Sequence, residues 1–160
     1  MLCTNCGAKL KDKVRFCGKC AWSAKVTDKL QGIGDPKLIT VLTLNYVAMR
    51  TGFRFSLQEK NGFVLFSCKY WKMGSGSVER ENVPVDPAYM RELREFVKEN
   101  GYLHLEDHDP SKRKVFVADA PHCELTLKWA DYEPLLIRSM SLPPNGEKLK
   151  EFFIGIAENI

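Results

Sequence analysis

The sequence predicts an α+β fold in which a small cysteine-rich segment precedes an antiparallel β-sheet domain with two amphipathic helices. Three observations predict it: four of the six cysteines lie in the first 20 residues, later apolar residues alternate as in strands joined by hairpins, and two helical patterns follow strand runs without regular βαβ alternation. The 160 residues, 44% of them hydrophobic and 28% charged, suffice for one core. We expect a small domain at 1–24, a linker at 25–37 and an α+β domain at 38–160.

The first 20 residues contain two C-x-x-C pairs, Cys3 with Cys6 and Cys17 with Cys20, separated by ten residues. Two residues between ligands let a tight turn direct both sulfurs to one ion, and two such turns supply the closed tetrahedral set that structural zinc prefers. Because the segment has few apolar side chains, the metal must supply its stability, about 10–16 kcal/mol for such sites. Redox or iron chemistry is the alternative, but redox C-x-x-C motifs occur singly on a βαβ pattern, which is absent here.

The pieces Cys3-x-x-Cys6-Gly7-Ala8-x-Leu10 and Phe16-Cys17-x-x-Cys20 resemble the short zinc-ribbon domains at the N-termini of many bacterial and archaeal proteins. The resemblance covers about residues 1–24. It implies one structural Zn²⁺ per chain, held by Cys3, Cys6, Cys17 and Cys20.

The charge of the chain is unevenly distributed. Residues 1–37 hold eight basic and three acidic side chains, a formal +5, whereas the other 123 residues hold 16 basic and 17 acidic ones. One zinc bound by four thiolates would contribute −2 and leave this segment at +3. Nucleic-acid binding is one interpretation, in which cations follow a phosphate backbone and Phe16 and Trp22 stack on bases. In the other, the lysines solubilise a tiny domain and the aromatics cover its core. The candidate nucleic-acid-binding residues are Lys9, Lys11, Lys13, Arg15 and Lys19.

The linker, which has two glycines and a proline, leads into strand signals. The run Leu38–Met49 is rich in β-branched and aliphatic residues, which predicts a strand. In the next run, Phe53, Phe55 and Leu57 alternate with polar residues, as in a half-buried strand. Asn61-Gly62 predicts a tight hairpin turn into the run 63–71. The flexible segment 73–77 then precedes a short strand around 78–85.

Two helices and a second hairpin complete the pattern. Asp86-Pro87 predicts a helix start with Asp as cap, and Asn100-Gly101 its end. A hairpin pairs alternating residues 123–129 with 135–140, and 143–146 leads into the last helix. The expected apolar faces are Tyr89, Met90, Leu93, Phe96 and Val97 in the first helix, and Leu149, Phe152, Phe153 and Ile156 in the second.

A histidine-rich segment raises the question of a second metal site. Its candidate ligands are His104, Glu106, Asp107, His108, Asp109, His122 and Cys123. Gly101 and Pro110 bracket the segment, which argues against a helix and favours a polar solvated loop. Cys68 and Cys123 alternate with apolar residues and are expected to be small core residues, not nucleophiles.

The leading interpretation is a zinc-stabilised, non-enzymatic binding protein of the bacterial cytoplasm with a protein partner. The cytoplasm is expected because no secretory signal is visible, and paired cysteines in a reducing compartment more often hold metal. The longest apolar-leaning run covers 12 residues, whereas a membrane helix needs about 20, so no span is expected. The alternatives are nucleic-acid binding through the ribbon and an enzyme with a site in the body.

Overall fold

The computed structural model describes residues 9, 35–49, 51–105 and 120–160. Within these residues, six strands form one antiparallel sheet and two helices pack against it, which confirms the predicted α+β class. The elements are β1 (Ile39–Val47), β2 (Gly52–Lys60), β3 (Phe63–Lys72), β4 (Gly76–Val85), α1 (Ala88–Glu99), β5 (His122–Trp129), β6 (Leu135–Ser139) and α2 (Gly146–Glu158), with 3-10 turns at Pro36–Leu38 and Tyr102–His104.

The sheet order is β4-β3-β2-β1-β5-β6. The first four strands form a meander, and β5 returns to pair with the free side of β1, placing Leu44 opposite both Phe55 and Leu125. Because side chains alternate between the two faces of a strand, this register gathers the buried apolar residues of the sheet on one face.

Local turn chemistry sets the hairpins. Asn61 and Gly62 both adopt positive φ, 52° and 81°, as a two-residue hairpin turn requires, and the predicted turn is confirmed. Strand β4 begins at Gly76, earlier than the predicted start near Val78. Its pairing with β3 is interrupted opposite Ser67, whose Oγ accepts a hydrogen bond from the Asn82 N–H at 2.9 Å. Asn82 has φ 51°, a value that Asn tolerates better than most residues.

Both predicted helices are present. The predicted start of α1 is one residue early: Pro87, not Asp86, is the N-cap, and the helix begins at Ala88. Asp86 lies just before the cap, where its Oδ1 accepts a hydrogen bond from the Ala88 N–H at 2.7 Å. Gly101, with φ 63°, follows the end of α1 in the left-handed conformation. The buried face of α2 contains Leu149, Phe153 and Ile156.

The core lies between the two helices and the apolar face of the sheet. The Phe153 ring of α2 stacks on Phe55 of β2, with 5.2 Å between centroids, and lies 6.2 Å from Phe66 of β3. Fully buried Tyr102 donates a hydrogen bond from its hydroxyl to the Pro144 carbonyl at 2.8 Å. The core is therefore continuous from the sheet to the segment that starts α2.

The chain enters this body beside α1. The Trp129 indole N–H donates to the Asp35 carbonyl at 3.0 Å, and the 3-10 turn Pro36–Leu38 packs against α1. The Arg94 guanidinium donates to the Ile39 carbonyl from Nε at 3.0 Å and from Nη2 at 2.7 Å. Residues 25–34 of the predicted linker lie outside the described residues.

Candidate functional site

The predicted metal ligands Cys3, Cys6, Cys17 and Cys20 lie outside the described residues. Of the predicted basic residues, Lys9 is described and is exposed to solvent. The others, Lys11, Lys13, Arg15 and Lys19, lie outside with Phe16 and Trp22. The ligand set and the basic surface thus remain predictions from the sequence.

The histidine-rich segment is described only in part. His104 ends the 3-10 turn after α1, where burial lowers its pKa below the ordinary value of 6.5, and His122 begins β5. His108 and its three acidic neighbours at 106, 107 and 109 lie outside the described residues. In the parts of the chain that the structure describes, no group of three His, Cys, Asp or Glu side chains is placed to hold a metal ion.

Both body cysteines are core residues, as their alternation with apolar residues predicts. Cys68 is 4% exposed and Cys123 is 1% exposed. Burial raises the pKa of the Cys123 thiol to about 11, against a smaller lowering by a hydrogen bond with Ser139, and burial also raises the pKa of Cys68. Since the thiolate is the nucleophile, both sulfurs are poorly reactive near neutral pH.

The face of the sheet opposite the helices is polar. Its central row crosses four strands as Thr126, Thr43, Ser56 and Ser67, with the Thr43 and Ser56 hydroxyl oxygens 3.1 Å apart. The next row carries charged side chains, with ion pairs of 3.1 Å from Lys69 to Glu79 and 3.2 Å from Arg138 to Glu124. Hydroxyl and charged groups on strands indicate a solvated face, which is suited to hydrogen bonding and not to further core packing.

A cleft of 470 Å³ lies on this polar face where β4 is bulged against β3. Its volume is in the range of small-ligand pockets. Cations and carboxylates both line it, so it has no strong single charge. Its lining residues include Arg54, Ser56, Ser67, Lys69 and Glu79.

An apolar rim, defined here as Val47, Met49, Trp71 and Met73, lies at one end of the same sheet. These side chains are 53%, 70%, 71% and 94% exposed, and they form half of the eight exposed large apolar residues in the described parts of the chain. Val47 of β1 pairs with Gly52 of β2, and the register of β2 with β3 places Trp71 on the other side of that glycine. Since neighbouring strands lie about 5 Å apart, about 10 Å separates the backbones of Val47 and Trp71. Met49 and Met73 lie in the two adjacent turns.

Sequence reasoning did not predict the apolar rim, although a signal was present. Cys68 and Tyr70, two residues apart in β3, both face the core. Because successive side chains of a strand point to opposite faces, Trp71 must point away from the core. The remaining information, that the β1–β2 and β3–β4 turns meet at the same end, requires the strand order. Clustered exposed apolar residues on a soluble surface mark interaction sites more often than isolated ones do.

Comparison with known proteins identifies the N-terminal segment. A zinc-ribbon domain model matches residues 2–21, which confirms the predicted zinc ribbon and implies zinc binding. No curated protein and no solved structure matched the chain. Within the described residues, no helix is both long and apolar enough to cross a membrane.

Proposed function

We propose that this protein is a zinc-stabilised, non-enzymatic binding protein whose ribbon holds one Zn²⁺ and whose body binds a protein partner through the apolar rim. The clustering of four highly exposed apolar side chains at one end of the sheet carries the proposal. Methionine and tryptophan suit such a surface, because Met adapts its shape and Trp buries a large area on contact. The buried, poorly reactive thiols favour binding over nucleophilic catalysis.

The zinc part of the proposal rests on the donor set. All four cysteines, Cys3, Cys6, Cys17 and Cys20, lie within the matched ribbon, and four thiolates form a closed site with no position for substrate. Such a site stabilises a fold and does not perform chemistry. Thiolate ligands also suit a reducing compartment, so we place the protein in the cytoplasm.

Native mass spectrometry tests the metal assignment. We expect one zinc per chain, lost in Cys3→Ser and in Cys17→Ser. Cys68→Ala is the matched control, since it removes a cysteine from the body, and it should retain the metal. A mass without zinc and lower by the hydrogens of new disulfides would overturn the assignment in favour of redox pairs.

Site-specific photo-crosslinking tests the apolar rim. A photoreactive amino acid at Met73, in the rim and 94% exposed, is compared with one at Leu38, which is 60% exposed and lies at the other end of β1. In a lysate of the source cells, we expect a discrete crosslinked protein from position 73 alone, and its loss when Trp71→Ser is added. Equal products from both positions, or products that persist with Trp71→Ser, would show that the rim is not the binding surface.

A second candidate function is nucleic-acid binding, which one arrangement on the polar face favours. Arg54 lies opposite Lys69 in adjacent strands, and exposed Trp71 follows two residues later on the same face. Cations beside an exposed aromatic suit a single strand, where bases stack and phosphates are neutralised. The other candidate cations for this function are the sequence-predicted residues Lys9, Lys11, Lys13, Arg15 and Lys19.

Titration of a fluorescent single-stranded oligonucleotide separates the two functions. If three phosphates are neutralised, affinity should fall about 20-fold between 50 and 200 mM salt. Trp71→Ala should weaken binding, whereas Phe63→Ala, which changes an aromatic side chain exposed by 64%, should not. Absent or salt-independent binding would exclude this candidate and leave the protein partner.

A further inference from the structure

A shallow groove runs between the two helices on the outer surface of the body. This interhelical groove has a volume of 440 Å³, and its floor consists of Leu93 and Phe96 of α1 and Phe152 of α2. Leu93 is 1% exposed, and Phe96 and Phe152 are partly buried. Phe96 and Phe152 therefore present apolar surface that the fold of the body covers only in part.

The wall of the groove is acidic. Glu92, Glu95 and Glu99 of α1 line it together with Arg91, so the lining carries a net charge of −2, or −1 when the neighbouring Lys98 is counted. The three glutamates are exposed. The ammonium of Lys98 lies 3.9 Å from the carboxylate of Glu95, and both side chains are more than half exposed. An exposed pair at this distance contributes little, so these carboxylates are available to a further cationic partner.

The N-terminal segment of the same chain has the complementary chemistry. Its formal charge is +5 over residues 1–37, and it remains +3 after zinc is bound by four thiolates. Five of its cations, Lys9, Lys11, Lys13, Arg15 and Lys19, lie in the ribbon with two aromatic residues, Phe16 and Trp22. An apolar floor with an acidic wall fits a surface that combines aromatic and basic side chains.

The tether is long enough to bring the two together. The chain enters the body at Asp35, next to the 3-10 turn that packs against α1. The ten residues 25–34 span at most about 33–36 Å when extended, whereas the 12-residue helix α1 is about 18 Å long. A short tether gives an effective concentration on the order of 1 mM, so an intrinsic affinity of about 0.1 mM would keep roughly nine-tenths of molecules docked.

We infer that the interhelical groove is a docking site for the basic zinc ribbon of the same chain. The charges supply attraction and the floor accepts an aromatic side chain. This inference rests on the zinc ribbon of the proposed function but not on the apolar rim, which lies at an end of the sheet.

Zero-length carbodiimide crosslinking of the full-length, zinc-loaded protein tests the docking directly. We expect amide links from Glu92, Glu95 or Glu99 to the ribbon lysines at 20 mM salt, and at least a ten-fold loss of them at 0.5 M salt. Asp131 and Glu133 provide the internal control, because they are exposed and follow Trp129, whose indole contacts Asp35, yet lie outside the groove. Links to these two residues as frequent as links to the groove would indicate random collision and overturn the inference.

Amide relaxation of matched variants supplies the second measurement. In the wild type the ribbon should tumble with the body, and the triple variant Glu92→Gln/Glu95→Gln/Glu99→Gln should release it to faster motion. The variant Asp131→Asn/Glu133→Gln/Glu147→Gln removes the same charge elsewhere and should leave the ribbon docked. A ribbon that moves independently in the wild type, or that stays bound in the triple variant, contradicts the inference.

Two controls distinguish failure of docking from failure of zinc binding, and docking within one chain from binding of a second copy. Zinc content, measured on the same sample, reports the metal assignment independently of crosslinking, so a metal-free ribbon and an undocked ribbon are distinguished. Crosslinks between differently labelled chains that rise with concentration would show that a second copy occupies the groove, and would overturn docking within one chain.

Discussion

Arg94 connects helix α1 to the start of the sheet, and its replacement should reveal how the body holds the point of chain entry. Its Nε and Nη2 donate to the Ile39 carbonyl at 3.0 and 2.7 Å, and Nη2 also contacts the Glu59 carboxylate. Ile39 is 0% exposed, so its carbonyl depends on protein donors. The Arg94 side chain is 19% exposed and that of Glu59 is 39% exposed.

The two contacts should contribute unequally to the free energy of unfolding. Hydrogen bonds from a charged donor to a buried acceptor contribute about 1.5–3 kcal/mol, and their loss leaves the Ile39 carbonyl without this donor. The ion pair is partly screened, since Glu59 is more than one-third exposed, and should contribute about 0–1 kcal/mol. We therefore expect Arg94→Met to destabilise by about 2–4 kcal/mol and Glu59→Gln by less than about 1 kcal/mol.

Urea denaturation of Arg94→Met, Glu59→Gln and the double variant measures these values and their coupling. Arg94→Lys adds a further control, because it keeps the charge but lacks the guanidinium fork. It should fall between the wild type and Arg94→Met. Equal destabilisation by Glu59→Gln and Arg94→Met would show that the ion pair, and not the carbonyl contact, secures α1, and the reasoning would fail.

Three further predictions concern the core and its titratable groups. Phe153→Ala should destabilise by about 3–5 kcal/mol in chemical denaturation, and the partly buried Phe152→Ala should destabilise less; equal losses would contradict the central placement of Phe153. Cys68 and Cys123 should resist iodoacetamide at pH 8 in the native protein and react after unfolding, as followed by peptide mass analysis, because both are buried with raised thiol pKa values; rapid native labelling would refute this. Since burial lowers the pKa of His104 from 6.5, the unfolded chain takes up the proton first, and the free energy of unfolding should decrease as pH falls below about 6.5. His104→Gln should lessen that decrease in urea titrations across pH 5–8, and an unchanged pH dependence would exclude the contribution.

Local patterns were sufficient to predict most elements of the body. Asn61-Gly62 specified a turn that needs two residues with positive φ, and Asp86-Pro87 located the start of α1 to within one residue. The early start of β4 was missed because Gly76 and Ser77 have low strand propensity, and pairing with Lys72 and Trp71 overrides it. Local propensity is a weak guide where a partner strand satisfies the backbone.

Long-range pairing was beyond these patterns. The sequence shows that β1 and β5 alternate, but not that Leu44 lies opposite Leu125, 81 positions away along the chain. The polar face and the apolar rim depend on that arrangement and on the meeting of two separate turns. The zinc ribbon could therefore be predicted because its motif is local, whereas the apolar rim could not, because it is assembled from several strands.

Docking of the ribbon and binding of nucleic acid by its lysines would compete for the same cations. Salt weakens both contacts, so a salt titration alone cannot distinguish them. The triple variant Glu92→Gln/Glu95→Gln/Glu99→Gln does, because it frees the ribbon without adding a cation. If Lys9 and its basic neighbours bind nucleic acid, only the undocked ribbon is free to bind. When nine-tenths of the molecules are docked, full release of the ribbon should raise oligonucleotide affinity by up to about ten-fold. The matched variant Asp131→Asn/Glu133→Gln/Glu147→Gln should show a smaller rise, because it makes the same change in net charge but leaves the ribbon in the groove. An equal rise in both variants would show that the gain comes from the change in net charge. Release of the ribbon lysines would then not contribute to nucleic-acid binding.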